Sequence, residues 1–136
     1  MSGVIRFISD PHFGHKNMAI HRGFHDEFYM DEHIIEQWNK VVRKHDTTWI
    51  LGDITMEKND YEILNRLQGY KRVVLGNHDQ GNHVKHMINY VNSIHGMEKI
   101  RSKQFGNIWL THCPVFAQEF DYRINYNIHG HIHNGY

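Results

Sequence analysis

Short apolar runs that each stop at a cluster of Asp, Asn or His constrain this chain more than any other feature. Residues 4–8 read as a buried strand and lead into Ser9-Asp10-Pro11-His12. Residues 47–51 read as a second strand, ending in Gly52-Asp53, and residues 72–75 as a third, ending in Gly76-Asn77-His78-Asp79. Between them, residues 31–42 place Ile34, Ile35, Trp38, Val41 and Val42 at helical spacing, and residues 61–67 do the same with Ile63, Leu64 and Leu67. Gly69 is the expected stop of that second helix. A short helix is predicted over residues 83–90. A hairpin of residues 98–103 and 107–111 follows, turning at Phe105-Gly106 and ending in Thr111-His112. A last strand, residues 126–129, precedes Gly130-His131-Ile132-His133.

Strand–helix alternation followed by strand pairing predicts a layered α/β domain with a partly parallel sheet. Sites in such sheets form beyond the carboxyl ends of the strands, which is where the polar clusters fall. The 136 residues suit one domain, residues 1–136, large enough to bury a core without disulfides. Cys113 is the one cysteine, so no internal disulfide is expected, in keeping with a reducing cytosol and a cytoplasmic protein. No run has the length of a membrane span, and residues 1–6 do not resemble a signal peptide. Charge is balanced, 15 Lys and Arg against 15 Asp and Glu, so no basic field marks a dedicated nucleic-acid binder. A phosphate substrate still fits, because bound cations would supply local positive charge.

The candidate metal ligands are Asp10, His12, Asp53, Asn77, His112, His131 and His133. Carboxylate, imidazole and amide oxygen together suit manganese first, with iron, zinc, nickel and cobalt as alternatives. The set lacks thiolates, against a structural zinc site. Seven donors exceed what one ion with an open position takes and suffice for two ions if a carboxylate bridges. Gly52, Gly76 and Gly130 each precede a candidate ligand, where the backbone must turn or approach closely. His131 and His133 flank Ile132, so in an extended segment both imidazoles face one site. His15 and Asn17 follow the first cluster as either substrate contacts or loop caps. His129 is open between a contact behind the ligands and a strand residue. Cys113 reads as a small packing residue, Trp38 and Trp49 as core, and Lys71-Arg72 as a solvated face. The histidines outside the clusters read as surface or packing residues.

In order and spacing these blocks resemble the calcineurin-like metallophosphoesterase superfamily, closest to its compact bacterial and phage-type members, which open with a stretch like residues 8–17. Gly-Asn-His-Asp (residues 76–79) together with Gly-His-x-His (residues 130–133) is the specific part. The resemblance implies a metallophosphoesterase-type β-sandwich flanked by helices. It implies one divalent cation on Asp10, His12, Asp53 and His133 and a second on Asp53, Asn77, His112 and His131, with Asp53 bridging. It makes His78 the group that contacts phosphate and protonates the leaving oxygen, and Asp79 the residue that orients His78. The implied activity is hydrolysis of a phosphate ester, as a phosphodiesterase or phosphomonoesterase, by water activated between two metals. The expected substrate is a small phosphate ester or nucleotide. Nuclease action on DNA or RNA and a non-catalytic scaffold of the same fold are the alternatives. Family members continue beyond the position of Tyr136 into further strands, so the resemblance also implies a sheet without its last strands.

Overall fold

A computed structural model describes residues 3–55, 58–120 and 124–133. Four parallel strands, β1 (Ile5–Ile8), β2 (Thr47–Ile50), β3 (Tyr70–Val74) and β4 (Ser93–His95), lie side by side in chain order. Ile8 is level with Ile50, and Ile50 with Val73, so the segments leaving the first three strands emerge together at one sheet end. A second sheet pairs β5 (Glu98–Ser102) antiparallel to β6 (Gly106–Leu110), and β6 parallel to β7 (Tyr126–Ile128). Leu110 is level with Ile128, which brings the chain after β6 beside the chain after β7. The helices are α1 (Lys16–His21), α2 (Glu27–Val41) and α3 (Val84–Met87), with 3₁₀ segments at Lys58–Arg66, Gly81–His83 and Ala117–Phe120.

The period of two along the central strands divides the core. Trp49, Leu51 and Val74 join Ile108 and Leu110 of the second sheet, with Ile100 and Ile128 packed against them. Ile50 and Val73 point the other way, into a cluster with Phe13, Ile35, Trp38, Tyr61, Leu64, Leu67 and Met87. The first sheet therefore has helices on one face and the second sheet on the other, and burial of each large apolar side chain stabilises this by roughly 1.5–3 kcal/mol. The mixed α/β class expected from the sequence is what the chain adopts.

The departures have local causes. Helix α2 begins at Glu27 because Asp26 caps it, its carboxylate accepting the Tyr29 N–H at 3.0 Å. It ends where Val42 turns extended, and Trp38, on its buried face, donates its indole N–H to Gln68 O. The segment expected as an α-helix over residues 61–67 is a 3₁₀ helix, Lys58–Arg66. Tyr61 and Leu64 within it and Leu67 just after it are buried, and their spacing of three matches three residues per turn. Strand β4 and helix α1 were not predicted. Lys71 is buried rather than solvated. Its ammonium donates to Leu67 O at 2.7 Å and Gly69 O at 3.2 Å, and burial pushes its pKa down. Trp38 and Trp49 are core, as expected. Residues 134–136, beyond which further strands were expected, lie outside the described residues.

Candidate metal centre

Beyond β1 the chain continues the ladder irregularly. Asp10 N–H donates to Gly52 O, His12 N–H to Asp53 O and Phe13 N–H to Ile54 O, so the segments after β1 and β2 run side by side. Asp10, His12, Asp53 and His131, with φ between 53° and 73°, are the non-glycine residues at positive φ among the described residues. Each costs on the order of 1–3 kcal/mol of backbone strain, which persists only where surrounding contacts enforce it and which clusters at functional sites. All four are candidate ligands.

The enforcing contacts are visible. The Arg22 guanidinium donates to Asp10 O at 2.7 Å and Pro11 O at 3.0 Å. The Asp79 carboxylate accepts the N–H groups of Asp53 (2.7 Å), Ile54 (3.1 Å) and Gly76 (2.8 Å), tying the end of β2 to the end of β3. The His78 N–H donates to Asp53 Oδ1 at 2.9 Å. The His131 N–H donates to Asp10 Oδ2 at 2.9 Å, with Ser9 Oγ 2.6 Å from the same oxygen. Gly52 supplies positive φ, whereas Gly130 supplies closeness: a Cβ there would overlap Ser9 Oγ and Asp10 Oδ2.

These anchors leave a set of unspent acceptors. Asp10 Oδ1 stands 3.8 Å from His12 Nε2, 3.9 Å from His112 Nε2 and 3.8 Å from His133 Nε2. His112 donates through Nδ1 to Leu51 O at 2.7 Å, which aims its Nε2 inward, 3.2 Å from Asp53 Oδ2 and 2.8 Å from Asn77 Oδ1. His131 Nδ1 lies 3.2 Å from both Asn77 Oδ1 and His112 Nε2. All seven predicted ligands are thus drawn into one cluster of side chains. Asp10, His12 and His133 form one group whose ligand atoms lie within 4.8 Å of one another, and Asp10, Asp53 and His112 form another. Asp10 is the carboxylate common to the two groups, and Asp53 is grouped with His112. His131 and His133 reach opposite sides of the pocket. The extended-strand argument for them does not hold, because His131 is left-handed and Ile132 N–H folds back on Gly130 O.

The electrostatics fit a cation. Asp10 Oδ1 and both ring nitrogens of His12 are buried without a hydrogen-bond partner, at a cost of about 1–3 kcal/mol for each such group. Burial lowers the His12 pKa to about 4, against the pull of Asp53 and Asp10, so the imidazole is neutral at pH 7, as a metal ligand must be. Burial pushes the Asp53 carboxyl up, but His112 and the His78 N–H outweigh it and hold it at about 2. Burial pushes His112 down, but Asp53, Leu51 O and Asp10 carry it up to about 8. A proton on His112 and a divalent cation would do the same work of neutralising these oxygens. Nitrogen and oxygen donors of this mix suit borderline divalent ions, and the residues present fit such a group.

The expected role of Asp79 changes. Asp79 does not orient the His78 ring: its carboxylate is taken by three main-chain N–H groups. Burial raises its pKa, opposed by those same N–H groups. His78 contributes its backbone to Asp53 while its side chain is exposed, with its ring centroid 5.9 Å from that of His12. His15 is a cap, its Nδ1 accepting the Met18 N–H at the start of α1. Asn17 lies exposed in the first turn of α1. His129 Nδ1 lies 2.9 Å from Gly130 O. His83 is buried against the Tyr61 hydroxyl and His95 packs on Trp49, both outside the pocket's donor set. Cys113 is exposed rather than packed, and groups with His112 and His131. Arg22 went unnoticed in the sequence because it belongs to no cluster; nothing in its neighbours marks it.

No family model matches the chain. It is 40% identical over 81 residues to the Gene 66 protein of Mycobacterium phage L5 and 40% identical over 80 residues to that of Mycobacterium phage D29, covering 54% of this chain each time. The matches span 38% and 39% of those phage proteins, well under half their length. Over 140 residues it is 33% identical to uncharacterized protein MJ1445 of Methanocaldococcus jannaschii, covering 95% of this chain and 69% of that one. The crystal structure of the protein of unknown function AQ665 from Aquifex aeolicus superposes with a TM-score of 0.71 at 29% identity, over 89% of this chain and 67% of the other.

Proposed function

The chain belongs to the family of the Methanocaldococcus jannaschii protein MJ1445, and we propose that it is a phosphoesterase of the calcineurin-like metallophosphoesterase type, built on that superfamily's two-sheet sandwich and working with two divalent cations. Support comes first from the strained quartet. Asp10, His12, Asp53 and His131 are held left-handed at one sheet end, around buried acceptor atoms that no protein donor meets. Strain plus unpaired buried acceptors is a costly arrangement that a cation would repay.

In this reading Asp10, His12, Asp53 and His133 hold one cation, and Asp53, Asn77, His112 and His131 the other. Manganese is the first expectation. Bound there, the pair supplies positive charge to a phosphate ester and makes water acidic enough to serve as nucleophile near neutral pH. The chain's own residues do the rest. Arg22 and Asp79 fix the backbones of the carboxylate ligands, and Leu51 O fixes the His112 tautomer. His78, exposed with its ring beside that of His12, would bind the phosphate and give a proton to the departing oxygen. The substrate is a small phosphate ester or nucleotide.

The test is turnover of bis-p-nitrophenyl phosphate and p-nitrophenyl phosphate by protein stripped of metal and reloaded with Mn²⁺. Hydrolysis of either, abolished by chelation and restored by Mn²⁺, is expected. Absence of hydrolysis by fully reloaded protein contradicts the proposal.

A further inference from the structure

The edge of the first sheet opposite β1 carries a side-chain cluster that the metal centre does not use. Trp49, Arg72 and Ser93 are level across β2, β3 and β4. Level residues share a face of the sheet, and His95, two residues beyond Ser93, shares it too. There the side chains meet in a fixed order. Ser93 Oγ is 2.8 Å from His95 Nε2, and His95 Nδ1 is 3.0 Å from Glu98 Oε2. A carboxylate only accepts, so it takes the Nδ1 hydrogen of the neutral ring and leaves Nε2 as acceptor for the Ser93 hydroxyl. The Arg72 guanidinium donates to Ser93 Oγ at 3.2 Å, which directs the hydroxyl hydrogen toward His95. Two further contacts hold the parts in place. Trp49 is buried and lies against both flanking groups, its ring centroid 5.1 Å from that of His95 and 5.9 Å from the Arg72 guanidinium carbon. Glu98 Oε1 accepts the Lys99 N–H at 3.0 Å, which leaves Oε2 for His95.

We propose that Ser93 is the nucleophile of a separate, metal-independent site that cleaves small carboxylic esters. The proposal does not depend on the metal-centre reading. Nucleophile, base and orienting carboxylate stand in hydrogen-bonding order, the arrangement that activates a hydroxyl and that is recognised by geometry and roles rather than by fold. In the first step His95 Nε2 takes the Ser93 hydroxyl proton as the bond from Oγ to the ester carbonyl carbon forms. Arg72, already beside that hydroxyl, supplies positive charge to the oxyanion that develops. The bond from carbon to the leaving oxygen then breaks, and the alcohol departs with the proton held on His95. A water molecule repeats the sequence on the acyl-serine, releasing the acid and restoring Ser93; nothing is oxidised or reduced. Ser93 is half-buried, and the His95 and Glu98 side chains are 23% and 35% exposed, so an ester reaches them from solvent at the sheet edge. That openness suits a short acyl group.

The experiment treats the full chain, stripped of metal and kept in EDTA, with a fluorophosphonate, which labels activated serines, and maps the adduct by mass spectrometry. One adduct per chain, on Ser93, is expected, and none on Ser93→Ala. His95→Ala is expected to slow the labelling by about 10²–10⁴. Glu98→Gln, which leaves the packing on Trp49 alone, is expected to slow it by roughly tenfold or more. In the same buffer the wild type should hydrolyse p-nitrophenyl acetate faster than Ser93→Ala does. No adduct, an adduct on another residue, or labelling of Ser93 as fast in Glu98→Gln as in the wild type overturns the proposal and leaves the cluster a brace of the sheet edge. Equal ester hydrolysis by the wild type and Ser93→Ala overturns it as well. Because the protein is free of metal throughout, each of these results leaves the metal-centre reading where it stood.

Discussion

Asp79 Oδ2 accepts the N–H of Asp53 at 2.7 Å, so a side chain beyond β3 fixes the main chain of a proposed ligand beyond β2. The same carboxylate holds the N–H groups of Ile54 and Gly76. Asp79→Ala would leave these three donors without a partner, at about 1–3 kcal/mol for each buried one. The variant is expected to lose ~3 kcal/mol or more in urea unfolding and to bind Mn²⁺ far more weakly by calorimetry. Unchanged stability and metal affinity, with only turnover reduced, would return Asp79 to the role of His78's partner.

His78 divides between main chain and side chain. Its N–H holds Asp53 Oδ1, and any residue but proline keeps that bond. The exposed imidazole is the proposed proton donor. His78→Ala is therefore expected to keep its Mn²⁺ affinity while kcat falls by about 10²–10⁴. The loss should be smallest for substrates whose leaving group needs no proton. Normal turnover in this variant would remove the imidazole from the reaction.

Gly130 presses its α-carbon against Ser9 and Asp10, leaving no room for a methyl group. Gly130→Ala is expected to cost about 1–3 kcal/mol, as overpacking does, and to displace Asp10 from its place in the pocket. Gly81, with nothing within 4 Å of a built Cβ, is the matched control. Gly81→Ala should change stability by no more than about 0.5 kcal/mol. Thermal melts of the two variants, with and without Mn²⁺, make the comparison.

Far from the pocket, Asp46 ties the amino end of β1 to the loop before β2. Its carboxylate accepts the N–H groups of Val4 and Arg43 and pairs with Arg6. The Arg43 and Val4 N–H groups, with Arg6, hold its pKa below the ordinary 3.8. A carboxyl lowered by folding stabilises the native state above that ordinary value and loses the contribution as pH falls below it. The wild type is expected to lose melting temperature on acidification below about pH 4. Asp46→Asn should melt lower at pH 7 and show a shallower acid limb. Parallel curves for the two proteins would contradict this account.

Strands β2 and β3 were legible because a buried parallel strand is a short apolar run, and the polar cluster after each marks its end. Residues 4–8 show the same kind of run, but β1 is an edge strand, with Val4, Ile5 and Phe7 exposed, rather than the buried strand expected. The seven candidate ligands were legible for the same reason: residue type and strand-end position agree. Helix α1 was hidden, since its six residues bury only Ala19 and leave no periodic face to read. The 3₁₀ character of Lys58–Arg66 was hidden because Tyr61, Leu64 and Leu67 satisfy a period of three as well as 3.6. Arg22 and Asp79 show the wider reason. Each acts on main-chain groups brought near only by the fold, so no local pattern encodes the partner.

The central claim is that the pocket holds a pair of cations, with Asp53 needed for both. Calorimetric titration of Mn²⁺ into metal-stripped protein measures this directly. Two equivalents per wild-type chain, with Asp53→Ala losing both, is the predicted result. A folded wild-type chain that takes up no stoichiometric divalent ion would contradict it.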